Sequence, residues 1–234
     1  MRIVILQPGY LPWLGFFDQL HRADCFVIYD DVQYTRRDWR NRNRIKTQSG
    51  EKYLTIPIIN RGRFEQLIKE AEIDYSQNWI HKHLATILTS YKRSSFFENY
   101  YPTLVEILNS KPKYLLELNI QIISACANWL AIKTPLIFSS NLEVSGSSTL
   151  RLVNICQQLK ATHYLTGDAA SSYLDNNLFD QAGIKIEYHG YKHPFYKQLY
   201  PPFIPYMSII DLLFNHGDES LAILSGKKIL ESED

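Results

Sequence analysis

The fold is decided by residues 2–30, which read RIVILQPGYLPWLGFFDQLHRADCFVIYD. Arg2 to Leu6 is short, rich in β-branched residues and followed by Pro8-Gly9, which predicts a buried strand that ends in a loop. Apolar residues from Leu14 to Leu20 recur at helical spacing, and Cys25 to Tyr29 is a second apolar run. A strand, a loop, a helix and a second strand in this order indicate a parallel βαβ unit.

The rest of the chain continues this alternation around a helical middle. Apolar spacings of three and four predict helices at Asn78–Tyr91, at Phe96–Leu108 (with Pro102 as a second possible start) and at Lys113–Leu130. Further strands are predicted at Thr134–Phe138, His163–Thr166 and Ile184–Tyr188. Further helices are predicted at about Ser145–Leu159, Ser171–Gly183 and Ser208–Phe214. We therefore expect one α/β domain over residues 1–234, with a mostly parallel Rossmann-like sheet, flanking helices, an N-terminal β-hairpin excursion and a helical insertion at about 75–131.

The segment from Asp30 to Lys46 concentrates positive charge in a chain whose net charge is only +1. Forked cations are the groups with which proteins hold phosphate and carboxylate. Two extended arms, Gln33–Ile45 and Lys52–Ile59, are predicted to join at the turn-forming residues Gln48-Ser49-Gly50. This predicted hairpin carries the basic side chains Arg36, Arg37, Arg40, Arg42, Arg44 and Lys46.

Strand alternation would divide the hairpin into two faces. One face would carry Arg36, Asp38, Arg40, Arg42 and Arg44, and the other would carry Gln33, Arg37, Trp39, Asn41, Asn43 and Ile45. The second face combines an aromatic ring with amides, so we expect it to line a substrate site. The charged face has a simpler explanation, because positive charge on an edge strand deters edge-to-edge pairing.

Polar residues also follow the first two predicted strands. Ligands of open parallel sheets bind outside the carboxyl ends of the strands, which makes Gln7 and Tyr10 candidate substrate-binding residues. Their loop lacks the patterns of a phosphate-binding glycine loop, so a rigid structural loop is the alternative. Asp30 and Asp31 follow the second strand, where neighbours in an extended chain point to opposite faces. One of them would serve as a general base or as a ligand for a cation or hydroxyl group, unless both only pair with the arginines that follow.

The histidines and the last predicted helix supply the remaining candidates. His81 and His83 are two residues apart and do not share a helix face, so no two-histidine metal site is expected. His193 follows the last strand and is the best candidate for acid–base chemistry, with a structural role as the alternative. Asp211 and Asn215 lie four apart on an apolar helix, which indicates a polar network or a pocket wall.

Composition limits the classes of protein. Hydrophobic residues make up 45% and charged residues 21%, as in ordinary globular domains. The near-neutral charge argues against general nucleic-acid binding. The apolar start is too short for a signal peptide and no run is long enough to span a membrane, so we expect a cytoplasmic protein with no membrane insertion. Cys25, Cys126 and Cys156 lie in apolar contexts and are expected to be buried free thiols. The sequence indicates no metal, and it leaves the cofactor and the oligomeric state open.

A series of motifs distributed over most of the chain resembles the WbqC-like protein family. The motifs are Gln7-Pro-Gly-Tyr-Leu-Pro-Trp, Phe26-Val-Ile-Tyr-Asp-Asp-Val-Gln-Tyr, Trp39-Arg-Asn-Arg-Asn-Arg-Ile, Leu54-Thr-Ile-Pro-Ile, Tyr164-Leu-Thr-Gly, Tyr173-Leu-Asp, His193-Pro-Phe-Tyr-Lys-Gln and Met207-Ser-Ile-Ile-Asp-Leu-Leu-Phe-Asn-His-Gly. Gly9 departs from the resemblance, since the family more often has a bulkier residue there. The family's recurring polar positions correspond here to Gln7, Asp30, Asp31, Gln33, Asn41, Arg42, Asn43, His193, Gln198, Asp211 and Asn215. Arg42 is included on the resemblance alone.

The resemblance implies a role in bacterial surface polysaccharide and O-antigen biosynthesis, with transfer of a glycyl, other aminoacyl or acyl group to a sugar. The leading hypothesis is a transferase whose small-molecule substrate is a phosphorylated or nucleotide-linked sugar. In it, His193 and Asp31 are catalytic, Tyr10 or Trp39 stacks on the substrate, and the hairpin holds the diphosphate. An ATP-using nucleotidyl transferase or ligase is the first alternative, although the first loop lacks the paired histidines of such enzymes. A non-enzymatic scaffold of polysaccharide assembly, or a nucleic-acid binder, is the second.

Overall fold

The computed structural model describes residues 1–36 and 38–228. In chain order, its strands are β1 (Arg2–Leu6), β2 (Cys25–Ile28), β3 (Arg42–Thr47), β4 (Gly50–Thr55), β5 (Leu136–Phe138), β6 (His163–Thr166) and β7 (Lys185–Tyr188). The α-helices are α1 (Leu14–Arg22), α2 (Trp79–Tyr91), α3 (Phe97–Asn109), α4 (Leu115–Trp129), α5 (Ser148–Gln158), α6 (Asn176–Gln181), α7 (Ile209–His216) and α8 (Ser220–Leu224). These elements confirm the predicted α/β fold with a hairpin and a helical middle.

The chain forms two compact units, of which the first is here called the sheet unit (Met1–Gln7, Asp18–Asp31 and Lys133–Lys192). Its five strands are all parallel and have the order β5-β2-β1-β6-β7. From β1 the chain adds β2 and β5 on one side, and then places β6 and β7 on the other. The switch point of the sheet therefore lies at the carboxyl ends of the neighbouring strands β1 and β6. Ligands of doubly wound folds bind at this position.

Alternating apolar residues form the core of the sheet unit. Ile3 and Ile5 of β1 and Val27 of β2 are buried together with Val153 of α5 and Phe179 of α6. Because successive strand residues point to opposite faces, these positions place α5 and α6 against one face of the sheet. These two helices therefore account for the burial of the alternate strand positions Ile3, Ile5 and Val27.

The second compact unit is here called the hairpin–helix unit (Pro8–Phe17, Val32–Ile132 and His193–Asp234). Its two-stranded antiparallel sheet pairs β3 with β4, from Arg42 opposite Thr55 to Thr47 opposite Gly50. Gly50 has φ +112°, a backbone conformation that glycine adopts without the steric cost of a Cβ. The predicted turn is thus confirmed, but the first arm begins at Arg42 rather than at Gln33.

The middle helices agree with the apolar spacing, with one correction. The helix α3 begins at Phe97 and contains Pro102, so the prolyl residue does not mark its start. Phe97, Tyr100 and Leu104 are buried, and this apolar stripe continues upstream of the proline. Phe97 packs against Phe214 of α7 with ring centroids 5.3 Å apart. Tertiary burial therefore outweighs the local preference of proline for a first turn.

The predicted helix from Ser171 to Gly183 is shorter than expected. A 3₁₀ segment covers Asp168–Ser172, and α6 covers only Asn176–Gln181. The chain between them is non-helical because Asp175 serves as the N-cap of α6, with its carboxylate accepting a hydrogen bond from the Asn177 amide at 3.0 Å. Across residues 1–36 and 38–228, no helix combines the length and the apolarity needed to cross a membrane.

The domain boundary of 1–234 stays a prediction. The helical insertion expected at about 75–131 corresponds to α2, α3 and α4, and all three belong to the hairpin–helix unit. The three cysteines are buried and free, as their apolar contexts indicated.

Candidate functional site

Two carboxylates lie at the carboxyl end of the sheet, beyond β2. Strand β2 pairs with β5 so that Ile28 lies beside Phe138, which brings the residues after both strands together. Asp30 accepts hydrogen bonds from the Ser140 amide at 3.0 Å and the Ser140 hydroxyl at 2.6 Å. It is only 1% exposed. Asp30 is therefore a fully satisfied group that ties the two strand ends together.

Asp31 shares a hydroxyl with its neighbour. The Ser139 hydroxyl lies 3.0 Å from Asp30 Oδ1 and 2.6 Å from Asp31 Oδ1. A hydroxyl has one hydrogen, so it can donate to only one of these oxygens at a time. The expectation that the two carboxylates point to opposite faces is wrong, because the extended strand ends at Ile28. The shared hydroxyl leaves one carboxylate oxygen with acceptor capacity for another hydroxyl or amide.

An arginine completes this carboxylate cluster. Arg151, in the first turns of α5, forms an ion pair with Asp31 Oδ2, and its guanidinium carbon lies 5.5 Å from the centre of the Tyr29 ring. The Arg151 Nε is buried and has no hydrogen-bond partner among the residues that the structure describes. The Asp31 side chain is 13% exposed, which makes it the carboxylate of the pair that solvent reaches. The cluster thus combines carboxylate acceptors with one cation.

The switch point itself carries Gln7 and Gly167. Gln7 follows β1, and Gly167 follows β6. A Cβ added at Gly167 would meet nothing within 4 Å, so there is open space beside the backbone there. Asp168 accepts a hydrogen bond from the Gly190 amide at 2.8 Å and thereby joins the ends of β6 and β7. The structure places Gln7 at the sheet position that the sequence indicated.

The sequence reasoning missed several polar residues at this end of the sheet. Ser139 and Ser140 directly follow a predicted strand, and the same rule that selected Asp30 and Asp31 could have found them. His189, just after β7, is also new, with its Nε2 at 2.6 Å from Asp18 Oδ2. Arg151 had no local signal, since its contact with Asp31 spans 120 positions of sequence.

In the hairpin–helix unit, Asp211 is the centre of a buried polar network. Its carboxyl group accepts hydrogen bonds from the Tyr91 hydroxyl, the Tyr196 hydroxyl and the Gln198 amide, each at 2.8 Å. Burial raises the pKa of Asp211, and the hydrogen bonds from Tyr196, Tyr91 and Gln198 act in the opposite direction. Asn215 donates to the Asp211 carbonyl at 2.6 Å. The structure brings together these three predicted site residues, in a network whose central carboxyl has 0% exposure.

His193 has partners for both ring nitrogens. Its Nε2 lies 3.0 Å from the Tyr206 amide, which can only donate, and its Nδ1 lies 2.9 Å from the Pro194 carbonyl oxygen. These contacts select the neutral tautomer with the proton on Nδ1. Burial lowers the pKa of His193, in agreement with a neutral ring. His193 could accept a substrate proton only if Nε2 exchanged the Tyr206 amide for that proton.

Tyr10, Asn41 and Asn43 are buried and bonded within the hairpin–helix unit. The Tyr10 hydroxyl contacts His83 Nδ1 at 3.0 Å, and burial raises the pKa of Tyr10. Asn41 donates to the Ile56 carbonyl and Asn43 to the Leu11 carbonyl, each at 2.7 Å. The inward direction predicted for Asn41 and Asn43 is confirmed, and both amides anchor main chain.

Trp39 and Gln33 depart from the predicted inward face. Trp39 is 45% exposed and Gln33 is also exposed, because both precede the point where strand alternation begins. Gln33 donates to the Phe64 carbonyl at 3.0 Å. The Arg42 guanidinium lies 5.1 Å from the centre of the Tyr53 ring, and Trp39 stacks on the same ring at 6.3 Å. Arg37 lies outside the described residues.

The backbone at Gly9 explains the one departure from the family pattern. A Cβ at this position would approach the Trp39 carbonyl oxygen to 2.9 Å, closer than real Cβ atoms come to an oxygen. The neighbouring Tyr10 amide donates to the same oxygen at 3.1 Å. In this chain, a bulkier residue would therefore require the Trp39 turn to move.

Comparisons with known proteins agree with the motifs. The model of the WbqC-like protein family matches residues 7–223. The chain is 41% identical over 223 residues to the uncharacterized protein Rv1507c of Mycobacterium tuberculosis, covering 94% of this chain and 95% of that protein. No solved structure matches the chain. A family match over nearly the whole length, with a relative of this identity, leads to one conclusion: the chain belongs to the WbqC-like protein family.

Proposed function

We propose that the protein is a transferase of bacterial surface polysaccharide (O-antigen) biosynthesis that moves an aminoacyl or other acyl group to a nucleotide-linked sugar. The observation that carries the proposal is the carboxylate cluster at the end of β2, in a parallel sheet with its switch point between β1 and β6. In dinucleotide-binding folds with this type of strand order, an acidic residue near the end of the second strand receives the ribose hydroxyls.

The cluster has the chemistry that a nucleotide-linked sugar requires. Asp31 offers acceptor oxygens to hydroxyl groups, while Arg151 supplies a cation for a phosphate oxygen. Open space beside Gly167 allows close approach of a ligand to the backbone at the switch point. Gln7 adds an amide with both donor and acceptor capacity at the same edge. We assign to this edge the nucleotide part of the substrate.

The proposed reaction is acyl transfer from an activated acyl donor, such as a thioester or an acyl adenylate. An amine or hydroxyl of the sugar attacks the acyl carbonyl, the new C–N or C–O bond forms, and the bond to the leaving group breaks. The proton of the attacking group passes to a base. His193 is the candidate for this base that the sequence selected, since a neutral imidazole is competent at physiological pH, and its Nε2 must first release the Tyr206 amide. Asp31 is proposed to hold the acceptor hydroxyls rather than to move a proton, since it is paired with Arg151.

A thermal-shift titration with a panel of nucleotide-linked sugars tests the ligand class. The variant Asp31→Asn removes the ionic acceptor, and Asp24→Asn is its control, because Asp24 contacts the Arg2 amide at the opposite end of β1. We expect at least one nucleotide-linked sugar to raise the melting temperature of the wild type and of Asp24→Asn, but not of Asp31→Asn. Absence of a shift with every diphosphate ligand would contradict the proposal.

The type of reaction is tested by an activity measurement, separate from ligand binding. A protein that is stabilised by ATP alone and releases pyrophosphate would instead be the nucleotidyl transferase or ligase that the sequence left open. Replacement of His193 by glutamine should lower the rate of acyl transfer strongly while leaving the ligand-induced shift in place. A His193→Gln protein with full transfer activity would remove His193 from the reaction.

A further inference from the structure

A groove in the hairpin–helix unit has no role in the proposed function. It runs between the strand β4 and the helix α2 and encloses about 510 Å³ at one end. Four consecutive residues of β4, Lys52–Thr55, line it. Successive strand residues point to opposite faces, so a wall made of four in a row is the edge of the strand. The groove therefore exposes the outer edge of β4.

The hydrogen-bond pattern of the hairpin confirms which groups face outward. The Ile56 amide donates to the Asn41 carbonyl, while the Arg44 carbonyl accepts from Ser208 outside the hairpin. Bonded and non-bonded pairs alternate in an antiparallel ladder, so Arg44 and Tyr53 form a non-bonded pair. The amide and carbonyl of Tyr53 are thus directed away from β3, at the outer edge of β4. They offer a donor and an acceptor to a ligand.

This end of the groove is basic. Lys52, His81 and Lys82 line it, and all three are exposed. Over the part of the chain that the structure describes, no carboxylate lines this end. Two ammonium groups without a competing carboxylate favour an anion, and a phosphate group uses several donors at once.

A buried donor in the wall of the groove also lacks a partner. Trp79 is 3% exposed, and its indole Nε1 has no acceptor among residues 1–36 and 38–228. A buried N–H without an acceptor is unfavourable, because it has given up its hydrogen bond to water. His83, which is adjacent in the wall, is satisfied by Tyr10 and by a backbone hydrogen bond with Thr55. The Nε1 atom has almost no accessible surface, so a ligand oxygen would reach it only after a shift of the Trp79 ring or of a neighbouring side chain.

The other end of the groove is rich in hydroxyl groups. It encloses about 440 Å³ and shares Lys52, Ala85 and Thr86 with the basic end. Thr86, Thr89 and Ser90 each donate their hydroxyl hydrogen to a carbonyl four residues earlier in α2, at 2.7–2.8 Å. Their oxygens consequently remain as acceptors. A row of acceptors fits a ligand with several hydroxyl donors, as in a sugar ring.

We infer that this groove is a binding site for a phosphorylated sugar, with the phosphate between Lys52 and Lys82 and the sugar hydroxyls along Thr86, Thr89 and Ser90. Tyr53 contributes its backbone amide and carbonyl, since its ring is already packed against Trp39 and Arg42. The site lies entirely within the hairpin–helix unit. It is independent of the nucleotide site proposed at the sheet edge.

Isothermal titration of the full-length protein with a hexose 1-phosphate tests the inference, with inorganic phosphate and the free hexose as separate probes. The double variant Lys52→Gln/Lys82→Gln should weaken hexose phosphate binding at least tenfold. Lys92→Gln is the matched control, because Lys92 caps the C-terminus of the same helix, is exposed and lines neither end of the groove. The control should bind as the wild type does.

Further variants and ligands separate the contribution of the phosphate group to binding from that of the sugar. Thr89→Val keeps the side-chain shape but removes the acceptor, and it should weaken hexose phosphate binding while leaving binding of inorganic phosphate unchanged. Equal affinity for hexose phosphate and for inorganic phosphate would refute the proposal that the groove binds the sugar. Unchanged hexose phosphate binding in the lysine double variant would refute the proposal that the groove is the binding site. Salt-sensitive binding of an oligonucleotide that hexose phosphate does not displace would also overturn it, in favour of nucleic acid. Asp31→Asn should leave hexose phosphate binding intact, so the outcome is separate from that of the proposed function.

Discussion

Removal of one hydroxyl from the network around Asp211 provides a quantitative test of its structural role. The Tyr91 hydroxyl donates to Asp211 Oδ1 at 2.8 Å and accepts from the Lys46 amide at 2.9 Å. The change Tyr91→Phe deletes a bond to a buried carboxyl and also leaves the Lys46 amide without its acceptor. Each loss costs about 1–3 kcal/mol. Since one oxygen serves both partners, we expect a decrease of about 3 kcal/mol in the free energy of unfolding.

The same substitution elsewhere supplies the control. The Tyr75 hydroxyl donates at 2.8 Å to a single neutral acceptor, the Pro112 carbonyl, in a partly buried position. Tyr75→Phe should therefore cost only about 1 kcal/mol. Urea unfolding followed by far-ultraviolet circular dichroism measures both variants against the wild type. If Tyr91→Phe costs no more than Tyr75→Phe, the reasoning that the Asp211 network stabilises this unit is refuted.

Three further predictions concern titration and thiol reactivity. Burial lowers the pKa of His83 to about 4, so the neutral ring stabilises the fold above about pH 6.5. This stabilisation is lost as the pH falls from 6.5 towards 4. In a series of melting temperatures measured at different pH values, His83→Gln should therefore lose less stability on acidification than the wild type. Burial raises the pKa of Asp211, so the protonated carboxyl stabilises the fold fully below the ordinary aspartate pKa range, and this stabilisation is lost as pH rises through the raised pKa. If the stability of Asp211→Asn fell over the same pH range, the decline could not be due to Asp211. Cys25, Cys126 and Cys156 are buried, and burial raises the pKa of Cys156 to about 12, so a thiol reagent should label them rapidly only after unfolding.

The sequence predicted the fold well where a single rule governed each element. The apolar runs of β1, β2 and β6 and the spacing of α2 and α4 led to elements that differ from the structure by only a few residues. It was less accurate where a side chain acts locally against the pattern. Asp175 caps α6 and shortens the predicted helix, and Trp39–Asn41 form a turn, so β3 begins only at Arg42.

For the candidate sites as well, the sequence was accurate where one rule applied to each residue. The sequence by itself placed Gln7, Asp30 and Asp31 after strands, because the carboxyl ends of parallel strands always share one edge. It also selected Asp211 and Asn215, and the resemblance to the family added Gln198. The structure joins these three residues in one network.

Only the tertiary structure decided which polar groups have partners and which face open space. The register of β2 with β5 brings Ser139 and Ser140 to the carboxylates, and α5 brings Arg151 from 120 positions away. The groove beside β4 likewise requires α2 to pack against the hairpin, so that Lys52 and Lys82 line one wall each. Local periodicity determines where strands and helices form, whereas convergence of distant side chains depends on packing between elements, which periodicity does not encode.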